Sequence, residues 1–331
     1  MYIGTQTQPR DDSDYEVWAQ LGVKHITGSP PGPWSEWTVD DLSAYRDKVE
    51  SYGIELDMVS LPLTPHSIDS PEAQAGTPNI MYGKSPERDR DLELICDIVR
   101  MAAEVNIRAL RYNMNLVGIL RTDDVRGRGG SRNSSFRWED ADKSAPMTSA
   151  GHVSEDDYWE RLDYFLERVV PVATEHKVQL ACHPHDPRTP PGYMGVDRIL
   201  GTVEGMQKFV QLHESPFHGI TLCQGSFSEM LEDPLTEIFD VIRWFGSRGK
   251  IFNVHFRNIS GKALDFFETF PDEGSVDMHK AIQTYKEVDY KYMLQPDHVP
   301  TISGPNPSGV AFGYAFGYIR GLMDAIGEPG D

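Results

Sequence analysis

Val178-Gln179-Leu180-Ala181-Cys182, preceded by the amphipathic stretch Glu155 to His176 and followed at once by His183-Pro184-His185-Asp186, sets a pattern that the chain repeats. A short apolar run bounded by polar residues reads as a buried strand, and a long stretch with apolar residues at helical spacing reads as a helix. Upstream of it lie Tyr2-Ile3-Gly4, Val23-Lys24-His25-Ile26-Thr27, Leu56-Asp57-Met58-Val59-Ser60 and Ile107-Arg108-Ala109-Leu110-Arg111-Tyr112. Downstream lie Ile220-Thr221-Leu222-Cys223, Ile251-Phe252-Asn253-Val254-His255-Phe256 and Tyr292-Met293-Leu294-Gln295. Helical patterns at Val39 to Tyr52, Pro86 to Val105 and Leu235 to Arg248 fill intervals between them. Thr38-Val39-Asp40-Asp41 and Ser154-Glu155-Asp156-Asp157 look like capped helix starts, with acidic residues at the positive end of the dipole. Strand and helix alternating around eight strands is the grammar of a parallel (β/α)8 TIM barrel, expected here as a single domain over residues 1–331.

The spacing is regular except between Tyr112 and about Ser154, where Gly127-Arg128-Gly129-Gly130-Ser131-Arg132 and other polar residues fill the gap. An insertion of this length after the fourth strand emerges on the catalytic face of a barrel, and about residues 113–154 are expected to form a lid. A second loop rich in proline and glycine, Pro296 to Gly309, follows the eighth strand and is expected to shape the pocket.

Formal net charge is −20, from 51 acidic against 31 basic residues, a field that repels nucleic acid and anionic membranes. An anionic substrate would therefore need a local positive site. No apolar run approaches the roughly 20 residues that cross a bilayer. The start Met1-Tyr2-Ile3-Gly4 has no basic segment leading into an apolar one, so a cytoplasmic setting is expected. The three cysteines, Cys96, Cys182 and Cys223, are too few for a disulfide framework and suit a reducing compartment.

Barrel active sites are assembled where strands stop, at their carboxyl ends. The fifth strand stops at His183, the sixth at Cys223, the seventh at His255 and the eighth near Asp297. Taken singly, each has an ordinary reading: a satisfied histidine, an inert buried thiol, a turn aspartate. Four metal-ligating side chains ending four successive strands are hard to obtain by chance. Two neutral imidazoles, a thiolate and a carboxylate suit one borderline divalent ion, such as manganese, iron(II) or zinc. Arg111, Tyr112 and Asn113 close the fourth strand, Arg121 follows it, and Arg257 and Asn258 follow His255; arginines there can hold a carboxylate bidentately. His185, Asp186 and His298 flank the ligands.

These residues resemble the mannonate dehydratases, which belong with the xylose-isomerase-like barrels. His183-Pro184-His185-Asp186-Pro187 is similar to the family's His-Pro-Asp-Asp-Pro, and Leu222-Cys223-Gln224-Gly225-Ser226 to its Leu-Cys-x-Gly-Ser. His255-Phe256-Arg257-Asn258 resembles His-x-Arg-Asn, Gly274-Ser275-Val276-Asp277-Met278 resembles Gly-Ser-x-Asp-Met, and Pro296-Asp297-His298 resembles the start of Pro-Asp-His-Gly-Arg. Arg88-Asp89, Tyr112-Asn113 and Arg121-Thr122 also look like family positions.

By that resemblance His183, Cys223, His255 and Asp297 would hold the metal, manganese being usual. The reaction would remove water from a sugar acid, taking the C2 proton and expelling the C3 hydroxyl to give a 2-keto-3-deoxy acid. His298 is the first candidate for base or acid and His185 the second, since an imidazole titrates near neutral pH. Arg257 would orient the carboxylate, with Tyr112, Asn113, Arg121 and Asn258 as further substrate contacts. A homo-oligomer is expected from the family alone. Departures fall around the substrate: Val299-Pro300 stand where the family has Gly-Arg, and Ser308 to Gly313 lack the family's tyrosine unless Tyr314 replaces it. Two other readings stay open, a metal-dependent sugar isomerase or epimerase and a metal-bearing binding protein without catalysis.

Overall fold

The computed structural model describes residues 1–328. Twelve strands make two sheets among them: β1 (Tyr2–Thr5), β2 (His25–Gly28), β3 (Glu55–Ser60), β4 (Ala109–Asn113), β5 (Thr122–Arg126), β6 (Arg132–Arg137), β7 (Gln179–His183), β8 (His218–Cys223), β9 (Ile251–His255), β10 (Ile259–Lys262), β11 (Asp265–Glu268) and β12 (Met293–Gln295). The eight strands β1-β12-β9-β8-β7-β4-β3-β2 close into a barrel, and every pairing in it is parallel. All eight coincide with the runs read from the sequence to within two residues.

Helices cover the outside because each carries one apolar stripe. The helix Glu155–His176 buries Tyr158, Leu162, Phe165, Leu166 and Val169, and Phe165 packs against Tyr112 with ring centroids 5.3 Å apart. Its start is a capping box, Ser154 with Asp157, and Thr38 with Asp41 make the same device before Val39–Glu50. Each such cap stabilises by about 1 kcal/mol. Met58, Ala109, Ala181, Phe252 and Met293 form a separate apolar plug. Gly4 is required there, since a Cβ would sit 1.9 Å from the Met293 sulfur.

The insertion after β4 is built differently from the lid expected of it. β5 and β6 pair antiparallel, β6 pairs with β11, and β11 with β10, so the segment is half of a sheet completed by the excursion after β9. Phe136, Ile259 and Phe266 give this sheet its own small core. Arg128 pairs with Asp272 at 2.6 Å, and Arg132 bridges to Thr301. The loop after β12 also ends earlier than expected. Asn306, at φ 53°, accepts from Gly309 N, and the helix Pro307–Ala325 starts with proline in its first turn. Among the described residues no helix is long and apolar enough to cross a membrane.

Candidate active site

His183, Cys223 and His255 are the last residues of β7, β8 and β9, and Asp297 lies two beyond β12. Parallel pairing sets Cys223 and Gln295 opposite His255, which brings these ends level. One donor atom from each of His183, Cys223, His255 and Asp297 lies within 4.8 Å of the others.

The donors fit a divalent ion. Neither ring nitrogen of the buried His255 has a hydrogen-bond partner, an expensive state for an imidazole with nothing to bind, and Nδ1 stands 3.3 Å from Asp297 Oδ1. His183 holds Nδ1 at 2.7 Å from the carbonyl oxygen of Pro184, which makes Nδ1 the protonated nitrogen and leaves Nε2 as donor. Burial lowers its pKa to about 4, so the ring is neutral. Burial opposes a thiolate at Cys223, but Arg257 and His255 outweigh it and lower the pKa. Burial likewise opposes ionisation of Asp297, and His255, His298 and Arg257 overcome it. Gln6 Nε2 donates to Asp297 Oδ1 at 2.5 Å.

Beneath the cluster Arg257 is fully enclosed. It donates to Asp186 Oδ2 at 3.0 Å and Glu268 Oε1 at 2.8 Å, and lies 3.0 Å from Glu229 Oε1 and 3.3 Å from Asp297 Oδ2. Gly225 makes room for it, since a Cβ there would meet Arg257 Nε at 2.5 Å. Arg121 ties the same Asp186 and Glu268 from the side sheet. Ser226 Oγ joins the two layers, 3.2 Å from both Asp186 Oδ2 and Cys223 Sγ. Buried charges are stable only when paired and hydrogen-bonded this fully. Burial, with Asp186 nearby, holds the Glu229 carboxyl well above the usual range.

A cavity of about 1000 Å³ opens above the cluster. His183, His255, Asp297 and His298 meet it on one side, and Gln6, Ser60, Thr64, Arg111 and Asn113 on the other. His298 keeps Nδ1 2.8 Å from Glu268 Oε1, and Nε2 lies 3.7 Å from Asp297 Oδ1. Burial opposes its protonated form, but Asp297 and Glu268 prevail and raise the pKa to about 9, above the near-neutral titration expected of it.

The structure therefore brings His298 and Asn113 to the cavity beside the four cluster residues, and turns other expected contacts away. His185 is buried with Nε2 3.0 Å from both the Met114 carbonyl and the Tyr158 hydroxyl, so the second candidate base does not reach substrate space. Tyr112 alternates outward from Arg111 and Asn113 into the helix layer, as the pleat of a strand requires. Asn258 is committed to the backbone of Ile259 and Val276. Arg257 and Arg121 pair with buried carboxylates, and neither lines the cavity where a substrate carboxylate was expected to meet them. Tyr314 is exposed against Phe270 and does not replace the absent tyrosine. Gln6, Glu229 and Glu268 escaped the sequence reading. Gln6 follows β1 directly and was open to the strand-end rule; Glu268 sits on β11, outside the barrel, and Glu229 carried no strand-end signal.

A closed parallel barrel with four side chains able to hold a metal at the carboxyl ends of its strands fits one class, the xylose-isomerase-like barrels. A xylose isomerase domain protein from Planctomyces limnophilus shares this fold, with a TM-score of 0.62 at 14% identity over 98% of each chain. The D-mannonate dehydratase (UxuA) family matches residues 137–329. A mannonate dehydratase from Shouchella clausii is 32% identical over 296 residues, which cover 79% of this chain and 77% of that one. The crystal structure of mannonate dehydratase from Streptococcus suis serotype2 superposes with a TM-score of 0.82 at 25% identity, over 100% of this chain and 96% of the other. The chain belongs to the mannonate dehydratase family.

Proposed function

We propose that the protein is a metal-dependent hydro-lyase that converts D-mannonate, or a close aldonic acid, to the 2-keto-3-deoxy acid by loss of the C2 proton and the C3 hydroxyl. The observation that carries this reading is the level cluster of His183, Cys223, His255 and Asp297 with His298 beside it at one wall of the cavity. A divalent metal held by those four side chains, manganese first and iron(II) or zinc as alternatives, would supply positive charge where it builds up on the carboxylate as C2–H breaks. His298 is the proton-transferring group, because Glu268 fixes Nδ1 and leaves Nε2 for the substrate. Asn113, next to His183 in the register of β4 and β7, is suited to a substrate hydroxyl. Arg257 acts through Cys223, Asp186 and Asp297 as a positioning residue. The whole chain works as one domain, with the side sheet bracing Asp186 and Glu268 through Arg121. Three free, buried cysteines favour a reducing, cytoplasmic setting.

The test is incubation of manganese-loaded protein with D-mannonate, following the 2-keto-3-deoxy acid. Its appearance supports the reading. Its absence at full metal occupancy overturns it, and a product of unchanged mass would point to isomerase or epimerase chemistry instead.

A further inference from the structure

We propose that Arg111 is the specificity-determining residue that recognises the substrate's carboxylate; the assignment rests on the sugar-acid reading above. Of the arginines near the cluster, Arg257 and Arg121 are paired with Asp186 and Glu268, and Arg198 is spent on the carbonyls of Gly118 and Asp186. Arg111 is the arginine that lines the cavity, and among the described residues it forms no ion pair with a carboxylate. The cavity's lysine, Lys48, stands 2.6 Å from Asp12 and is half exposed.

Arg111 Nη1 donates to Gln6 Oε1, and Gln6 Nε2 donates to Asp297 Oδ1, so one amide ties this guanidinium to the cluster. Its Nε is buried with no hydrogen-bond partner. Most of a planar five-donor fork is left for a ligand. Charge balance points the same way. The Cys223 thiolate and the Asp297 carboxylate, the anions that act on Arg111, would offset a bound dication, and one substrate carboxylate would then balance the guanidinium. A planar guanidinium binds a carboxylate through two parallel N–H donors, which a neutral sugar cannot match.

Calorimetric binding of two probes to the metal-loaded protein tests this. A 3-deoxyaldonate keeps the carboxylate and lacks the hydroxyl that would leave, so it is not dehydrated; D-mannitol lacks the carboxylate. The parent should bind the acid at least about tenfold more tightly than the polyol. Arg111→Gln should weaken acid binding about 30-fold and Arg111→Lys about tenfold, with polyol binding within about threefold of the parent and metal content unchanged. Acid binding by Arg111→Gln within about threefold of the parent, or a parent without preference for the acid, overturns the assignment. A parent that prefers the acid yet fails to dehydrate D-mannonate removes the proposed activity and leaves Arg111 to be judged by its variants.

Discussion

The two walls of the barrel mouth are built on opposite principles. On the side of β7, β8, β9 and β12, Asp186, Glu229, Arg257 and Glu268 are bound to one another under the cluster and reach Asp297 and His298 within it and beside it. On the side of β1 to β4, Gln6, Ser60, Thr64 and Asn113 present neutral polar groups with Arg111 as the buried charge among them, and the other charged residues that line this side, Asp41, Lys48 and Glu72, are exposed. A buried charge network is cooperative, so removing one member strands the rest. A neutral wall has few such couplings, and its residues can change with less loss to the fold or the ligand cluster. On the proposed function, metal chemistry would rest on the rigid side and substrate choice on the side that tolerates change.

The sharpest way to break this contrast is Arg257→Met, which removes one of the two arginines that Asp186 and Glu268 share and leaves Glu229 buried without its ion-pair partner. A loss of about 4 kcal/mol in denaturant unfolding is expected; a loss under about 1 kcal/mol would make the network decorative. His298→Ala should lower kcat about 10²- to 10³-fold with metal retained, and unchanged turnover would take His298 out of proton transfer. The network also has a pH signature. Burial raises the pKa of Glu268, but His298, Arg257 and Arg121 overcome it and bring it to about 2. A depressed carboxylate adds stability above its unfolded pKa of 4.5 and loses it as pH falls through 2, so the unfolded chain takes up the proton first. This contribution is roughly 3 kcal/mol at most, and unfolding of Glu268→Gln across that range should show a flatter acid limb than the parent.

Cys223→Ala should weaken metal retention about 100-fold, read as metal content after dialysis; retention equal to the parent's would make the thiol a packing residue. The smallest effect belongs to the neutral wall. Asn113→Ala should raise KM no more than about fivefold and leave metal content and unfolding unchanged. A collapse of stability there would erase the distinction between the walls.

Much of this molecule was legible in the linear chain because its signals are local. Apolar runs of strand length, capped amphipathic helices and polar residues where strands stop depend on a few neighbouring residues, and they sufficed for eight strands and four ligand candidates. Side-chain direction was harder. Arg111, Tyr112 and Asn113 are consecutive, and only the pleat of β4 against β7 sends the first and third into the cavity and the second among the helices. The same limit applied to His185, two residues from His183 yet turned into the core by Met114 and Tyr158. The side sheet was invisible for another reason. Its middle strands, β6 and β11, are separated by more than a hundred residues, and its core has little apolar content to mark them. By itself the sequence determined the barrel and the four side chains at or just past its strand ends, because periodicity and strand ends are local. Tertiary structure alone decided which charges neutralise one another and which one is left facing the cavity, because ion pairing in a protein interior depends on distance through space and on exclusion of water.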